Sequence, residues 1–140
     1  MGGVLAIDYG SKKCGFASTD ALRVSLQALE PLRHDGREEL LLAHLARLLD
    51  ERDVSVLLVG VPLQADGSAG ERARAVLGFV ERLRARFPRL RVVPWDERLT
   101  TKEAESRLRE EGRRGRAVKD ERDSRSAAIL LEDWLRAGES

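Results

Sequence analysis

The chain is poor in cysteine, aromatic residues and lysine, and each shortage closes off a class of function. A lone Cys14 rules out a disulfide framework and any multi-cysteine zinc site. Its place in an apolar run suits a small buried side chain in a reducing compartment, so a cytoplasmic protein is expected. The only histidines, His34 and His44, lack metal-ligand spacing and read as structural or solvated. Aromatic residues are 4% of the sequence, too few for a base-stacking platform. The longest mostly apolar stretch, 54–63, is about half the roughly 20 residues a membrane helix needs. The opening MGGVLAIDYG has no basic flank of the kind that precedes a signal peptide's apolar core, so neither export nor membrane insertion is expected.

What is present is charge in near balance, Lys+Arg 25 against Asp+Glu 24, in 140 residues. A chain of this length buries about 68% of the surface its unfolded form exposes, enough for a single domain spanning residues 1–140 but not for two lobes closing on a ligand. Apart from Lys12, Lys13, Lys102 and Lys119, every cation is arginine, which suits either a GC-rich genome or a surface made for bidentate phosphate contacts. Position has to decide between the two.

Periodicity predicts a strand from Gly3 to Tyr9, a turn at Gly10-Ser11-Lys12-Lys13, and a second extended run from Cys14 to Thr19, the pair forming an antiparallel hairpin. A third strand is expected over Val24–Leu29, with Pro31 to Gly36 as a break. A leucine stripe marks a helix from Glu38 to Arg52, and Val54–Gly60 reads as a central strand covered on both faces. A second amphipathic helix runs over Glu71–Phe87, its arginines set aside as a solvated face, and Arg91–Trp95 is extended. Thr100 and Glu103 form a capping box that opens a helix ending near Gly112, and the last helix spans Glu121–Arg136. The fold class expected is α/β, RNase H-like. Its mixed five-stranded sheet has three antiparallel leading strands and two parallel ones, with helices on both faces.

Three acids stand out against this pattern. Asp8 ends a strand whose other residues must be buried, and an ionised carboxylate there needs a cation, thorough hydrogen bonding or a proton. Lys12 or Lys13 could supply that cation. Asp96 and Glu97 lie between a strand and a helix, and spacing does not choose between them. Asp123 begins the core-facing stripe Ala127, Leu130 and Trp134 of the last helix, where helix-start electrostatics is an equally good account. A strand end, a strand-to-helix junction and a helix start can meet at one rim. Carboxylates gathered there would select Mg²⁺ or Mn²⁺, two ions supporting in-line phosphodiester displacement.

Four segments carry a resemblance: Asp8 to Ala17 (DYGSKKCGFA), Val59 to Ser68 (VGVPLQADGS), Asp96 to Ala104 (DERLTTKEA) and Asp123 to Leu131 (DSRSAAILL). Together, in this order and spacing, the chain resembles the YqgF/RuvX family over nearly its whole length. The resemblance implies an RNase H-like, metal-dependent nuclease of pre-16S rRNA, described also as Holliday junction resolvase-like. By it, Asp8, Glu97 and Asp123 are the catalytic, metal-binding acids, and Glu97 is chosen over Asp96. Cys14, Gln64 and Arg125 depart mildly from the family's pattern, Arg125 in a position to alter strand contacts near Asp123.

Nucleic acid would be held by Arg113, Arg114, Arg116 and Lys119, a glycine-interrupted basic segment just before Asp123, with Arg98 beside Glu97. Lys12, Lys13 and Arg125 complete the set of expected contacts. These suit a reader of shape, so both precursor rRNA and branched DNA are open partners. A junction resolvase would work as a homodimer offering two active sites. Two other classes compete: a catalytically silent RNA-binding module, and an actin-like ATPase using Asp8-Tyr9-Gly10 and Gly15 as a phosphate loop. The single-domain length argues against the latter.

Overall fold

The computed structural model of the chain describes residues 2–64, 66–97 and 124–138. In order these residues form β1 (Gly3–Asp8), β2 (Lys13–Thr19), β3 (Leu26–Arg33), α1 (Glu38–Glu51), β4 (Val54–Val61), α2 (Glu71–Arg86), β5 (Arg91–Asp96) and α3 (Arg125–Arg136). The strands make one sheet in the order β3-β2-β1-β4-β5. β2 runs antiparallel to β1 and β3, with Ile7 opposite Phe16 and Asp8 opposite Gly15. β4 runs parallel to β1 and β5, with Ile7 opposite Val59 and Gly60 opposite Trp95. This is the mixed sheet the sequence predicts. A tight turn can join the antiparallel pair, whereas each parallel return needs a crossover, here through α1 and α2.

Strands β1 and β4 are almost wholly apolar because both of their faces are covered. On one face Leu5, Ile7, Phe16, Leu57 and Val59 pack with Leu41 and Leu45 of α1 and Phe79 and Leu83 of α2. On the other, Val4, Ala6, Ala17, Val56 and Leu58 meet Ala127, Leu130, Leu131 and Trp134 of α3. Successive strand residues alternate between these faces, so the face of each side chain can be counted off along the chain.

Two expected boundaries are corrected, and the first is the start of the last helix, which lies at Arg125 after the non-helical Ser124 rather than at Glu121. The third strand extends through Pro31 to Arg33, where a break was expected. It is an edge strand, and proline's missing N–H is tolerated at an edge. Between the pairs Cys14–Leu32 and Phe16–Leu29, β3 carries two residues, Glu30 and Pro31, against Gly15 alone, so the proline sits in a bulge. The helix expected from the Thr100–Glu103 capping box lies outside the described residues.

Candidate metal and nucleic-acid site

Asp8 is the last residue of β1, and strand alternation carries it to the α3 face with Val4 and Ala6. Burial pushes its carboxyl pKa above the ordinary value, with the Arg72 guanidinium opposing. Among the described residues the cation acting on it is therefore an arginine of α2, whereas the sequence offered Lys12 or Lys13 as one possible source.

The structure separates Asp96 from Glu97. In β5, Val92 packs on the α1/α2 face, and Val93 and Trp95 on the α3 face. The same alternation puts Asp96 on the first side and Glu97, one residue past the strand, on the side of Asp8. Glu97 lies across the backbone of β4: a methyl group placed on Gly60 would stand 2.5 Å from its Oε1. Its carboxyl is pushed up first by burial, then by the negative charge of Asp8, with Arg72 opposing and Asp96 adding a smaller push. Asp8 and Glu97 thus share one electrostatic environment and, among the described residues, the same counter-charge.

Arg72 is the residue that sequence reasoning missed, because the arginines of α2 were taken together as a solvated face. Arg82 forms a bidentate pair with Glu38 at 2.7 and 2.8 Å, and Arg84 donates to the Val92 carbonyl at 3.1 Å. Arg72, exposed in the first turn of α2, is the arginine of that helix whose charge acts on the two acids. Its signal was topological. The helix after β4 starts at the carboxyl-end rim of a parallel strand, where ligands of α/β sheets gather.

Asp123 lies outside the described residues, but its chain neighbour is well defined. Ser124 is fully buried, and its hydroxyl accepts the Phe16 N–H at 3.1 Å, at the bulge beside Gly15. The start of α3 is therefore tied to β2 one residue from the partner of Asp8.

The turn after Asp8 is gripped by the β3–α1 loop. The Lys12 carbonyl accepts the backbone N–H groups of His34 and Asp35 at 2.8 and 3.0 Å. His34 is buried, with Nε2 at 2.8 Å from the Gly10 carbonyl and Nδ1 accepting the Gly36 N–H at 3.1 Å. That second bond makes Nε2 the protonated nitrogen, so His34 is structural, as expected. Tyr9 stacks on Phe79 with centroids 4.2 Å apart. Cys14 is buried and its thiol is pushed up to about 11, which excludes it as a nucleophile.

The expected nucleic-acid contacts divide three ways. Lys12 is exposed and Lys13 half-buried, both on the turn beside Asp8. Arg125 is half-buried at the start of α3, and its Nη2 is buried with no hydrogen-bond partner, so it points inward. Arg98, Arg113, Arg114, Arg116 and Lys119 lie outside the described residues. Among the described helices, none is long and apolar enough to cross a membrane.

Comparison with known proteins bears on the fold and the family. The Thermus thermophilus RuvC bound to a Holliday junction superposes with a TM-score of 0.61 at 16% identity, covering 99% of this chain and 97% of that one. At that identity the likeness establishes the RNase H-like fold. A protein of Anaeromyxobacter sp. (strain Fw109-5), provisionally named a pre-16S rRNA nuclease, is 41% identical over 131 residues, 94% of each chain. A Rubrobacter xylanophilus protein of the same provisional name is 40% identical over 137 residues, 98% of this chain and 94% of its own. The family model described as RuvX, Holliday junction resolvase, matches residues 2–137, and the chain belongs to that family.

Proposed function

We propose that the chain is a metal-dependent nuclease in which Asp8, Glu97 and Asp123 hold Mg²⁺ or Mn²⁺, two ions in all. Its substrate in this reading is precursor 16S rRNA, trimmed at the 5′ end during ribosome assembly in the cytoplasm. One observation carries the reading: two desolvated carboxylates, one ending β1 and one just past β5, lie on the same side of the sheet, each raised, and among the described cations Arg72 opposes both. Asp123 directly precedes the anchored Ser124 in the sequence, which supports counting it with them.

Donors that are all carboxylate oxygens fit a hard divalent cation. When bound, such ions supply charge neutralisation at the attacking and leaving oxygens of a phosphodiester. The chain's own residues do the remaining work. Strand ends hold Asp8 and Glu97 in place before substrate arrives, so little reorganisation is left for the reaction itself. On the α3 face, Asp8 is flanked by Gly15 in β2, whose missing side chain leaves room on that side for a phosphate backbone. Arg72 offers a guanidinium fork for phosphate oxygens, and Lys12 and Lys13 offer point charges on the adjoining turn. Arg98 and the 113–119 segment would follow the backbone further. Arg125, turned inward, is a weaker candidate for direct contact.

The provisional names of the relatives support RNA as substrate, while the family description supports a second reading, cleavage of branched DNA by a homodimer. Cleavage of precursor 16S rRNA and of a four-way DNA junction, each with Mn²⁺, Mg²⁺ or chelator, distinguishes them. Metal-dependent cutting of the rRNA is expected, reduced at least ~100-fold by Asp8→Asn, since even outer partners of metal ligands are worth ~10–100-fold. Cutting of the junction alone would favour the second reading. Salt-sensitive RNA binding without any cleavage would leave a silent binding module.

A further inference from the structure

Gly60 lies in β4 with Val59 and Val61 buried on either side of it in sequence, and alternation puts it on the α3 face with Val56 and Leu58. Nothing in its backbone asks for glycine. Among the described residues the positive-φ glycines are Gly36, Gly67 and Gly138, and position 60 takes ordinary strand geometry open to any L-residue. In a strand interior glycine is also the locally unfavourable choice against alanine. Its presence therefore has another cause.

That cause is the Glu97 side chain. A methyl group on Gly60 would stand 2.5 Å from Glu97 Oε1, 2.9 Å from Cγ and 3.1 Å from Cδ. β4 is the strand between β1, which ends in Asp8, and β5, which leads into Glu97. For Glu97 to approach Asp8 on the α3 face, its side chain must cross β4, and it does so over the one position that has no side chain. We infer that Gly60 is a positioning residue of the catalytic site, a bare floor over which Glu97 reaches the neighbourhood of Asp8. The inference rests on the reading of Asp8 and Glu97 as metal-binding acids.

The geometry separates function from stability. The atoms that would collide with a new Cβ, Cγ as well as the carboxylate, all belong to the Glu97 side chain and none is backbone, so the fold can accept a methyl group by rotating Glu97 about its Cα–Cβ bond and away from Asp8. Gly60→Ala is therefore expected to keep the metal-free melting temperature within a few degrees of wild type, while Mn²⁺ affinity measured by calorimetry falls at least ~10-fold and cleavage falls with it. Asp8→Asn and Glu97→Gln run alongside.

If those two variants lose Mn²⁺ binding while Gly60→Ala retains wild-type affinity, the positioning role is overturned and the acid assignment stands. If Asp8→Asn and Glu97→Gln both bind Mn²⁺ as wild type does, the acid assignment itself fails and takes this inference with it. Should Gly60→Ala fail to fold, the double variant Gly60→Ala/Glu97→Ala decides. Recovered folding places the collision on Glu97 and supports the inference, whereas continued failure places it on the backbone and overturns it.

Discussion

Asp8 follows four fully buried residues, Val4, Leu5, Ala6 and Ile7, so its charge is disfavoured until a cation is near. The raised carboxyls of Asp8 and Glu97 have a thermodynamic consequence. A carboxyl whose folded pKa exceeds its unfolded value contributes stability fully below the unfolded value, about 4, and loses it as pH rises through the folded one. The metal-free protein is therefore expected to lose stability as pH climbs from about 4 toward neutrality. Asp8→Asn should flatten that slope and melt higher than wild type in chelator at neutral pH, by a few degrees on the usual scale for a domain this size. Thermal melts across pH check this, and a wild-type slope in the variant would contradict it. Arg72 makes a different prediction, because its charge acts on both acids yet it remains exposed. If it grips a substrate phosphate, Arg72→Ala weakens RNA binding and lowers the slope of log affinity against log salt by about 1. Mn²⁺ affinity should stay level or tighten, since a competing positive charge is gone. RNA binding with an unchanged salt slope would reduce Arg72 to a counter-ion of the acids. From the sequence, Asp8 stood out as an acid closing an apolar strand. Arg72 did not, because nothing local distinguishes it from the other arginines of α2.

At the scale of elements, the site depends on how strand ends and helix starts are joined. Ser124 links α3 to β2 at a bulge, and its hydroxyl is the acceptor for a buried N–H. Ser124→Ala would strand the Phe16 N–H in the interior, at a cost of about 1–3 kcal/mol. A lower melting temperature and weaker Mn²⁺ binding are expected, with Ser124→Thr, which keeps the hydroxyl, recovering both. A wild-type melting temperature for the alanine variant would show that another group takes over the N–H. The elements themselves were mostly legible, since β1, β4, α1 and α2 each carry a hydrophobic period that matches their surroundings. The third strand was not. Pro31 reads locally as a breaker, and only its place on an edge strand, inside a bulge, lets the strand continue to Arg33. Asp96 and Glu97 were likewise inseparable by spacing, until packing of Val92 on one side of the sheet and Trp95 on the other set the alternation.

Across the described residues, stability rests on a sheet covered on both faces, while ion pairs such as Arg82–Glu38 and Arg33–Asp35 lie at the surface. Leu131 of α3 is fully buried against the sheet, and its replacement by alanine should cost about 2–5 kcal/mol. Arg82→Ala, although it breaks a bidentate pair with Glu38, should cost no more than about 1 kcal/mol, because both partners are partly solvent-exposed. Denaturant titrations of the two variants test this ranking, and a reversed order would place the stabilising contacts on the surface. The sequence alone determined the mixed α/β architecture, the strand ending in Asp8 and the four segments that identify the family, because hydrophobic periodicity and short motifs are written locally. Only the tertiary structure decided that Glu97 crosses β4 above Gly60 and that Arg72 is the α2 arginine whose charge acts on the acids. Both depend on strand order and side-chain face, which arise when residues distant in sequence pack together and which no local window contains.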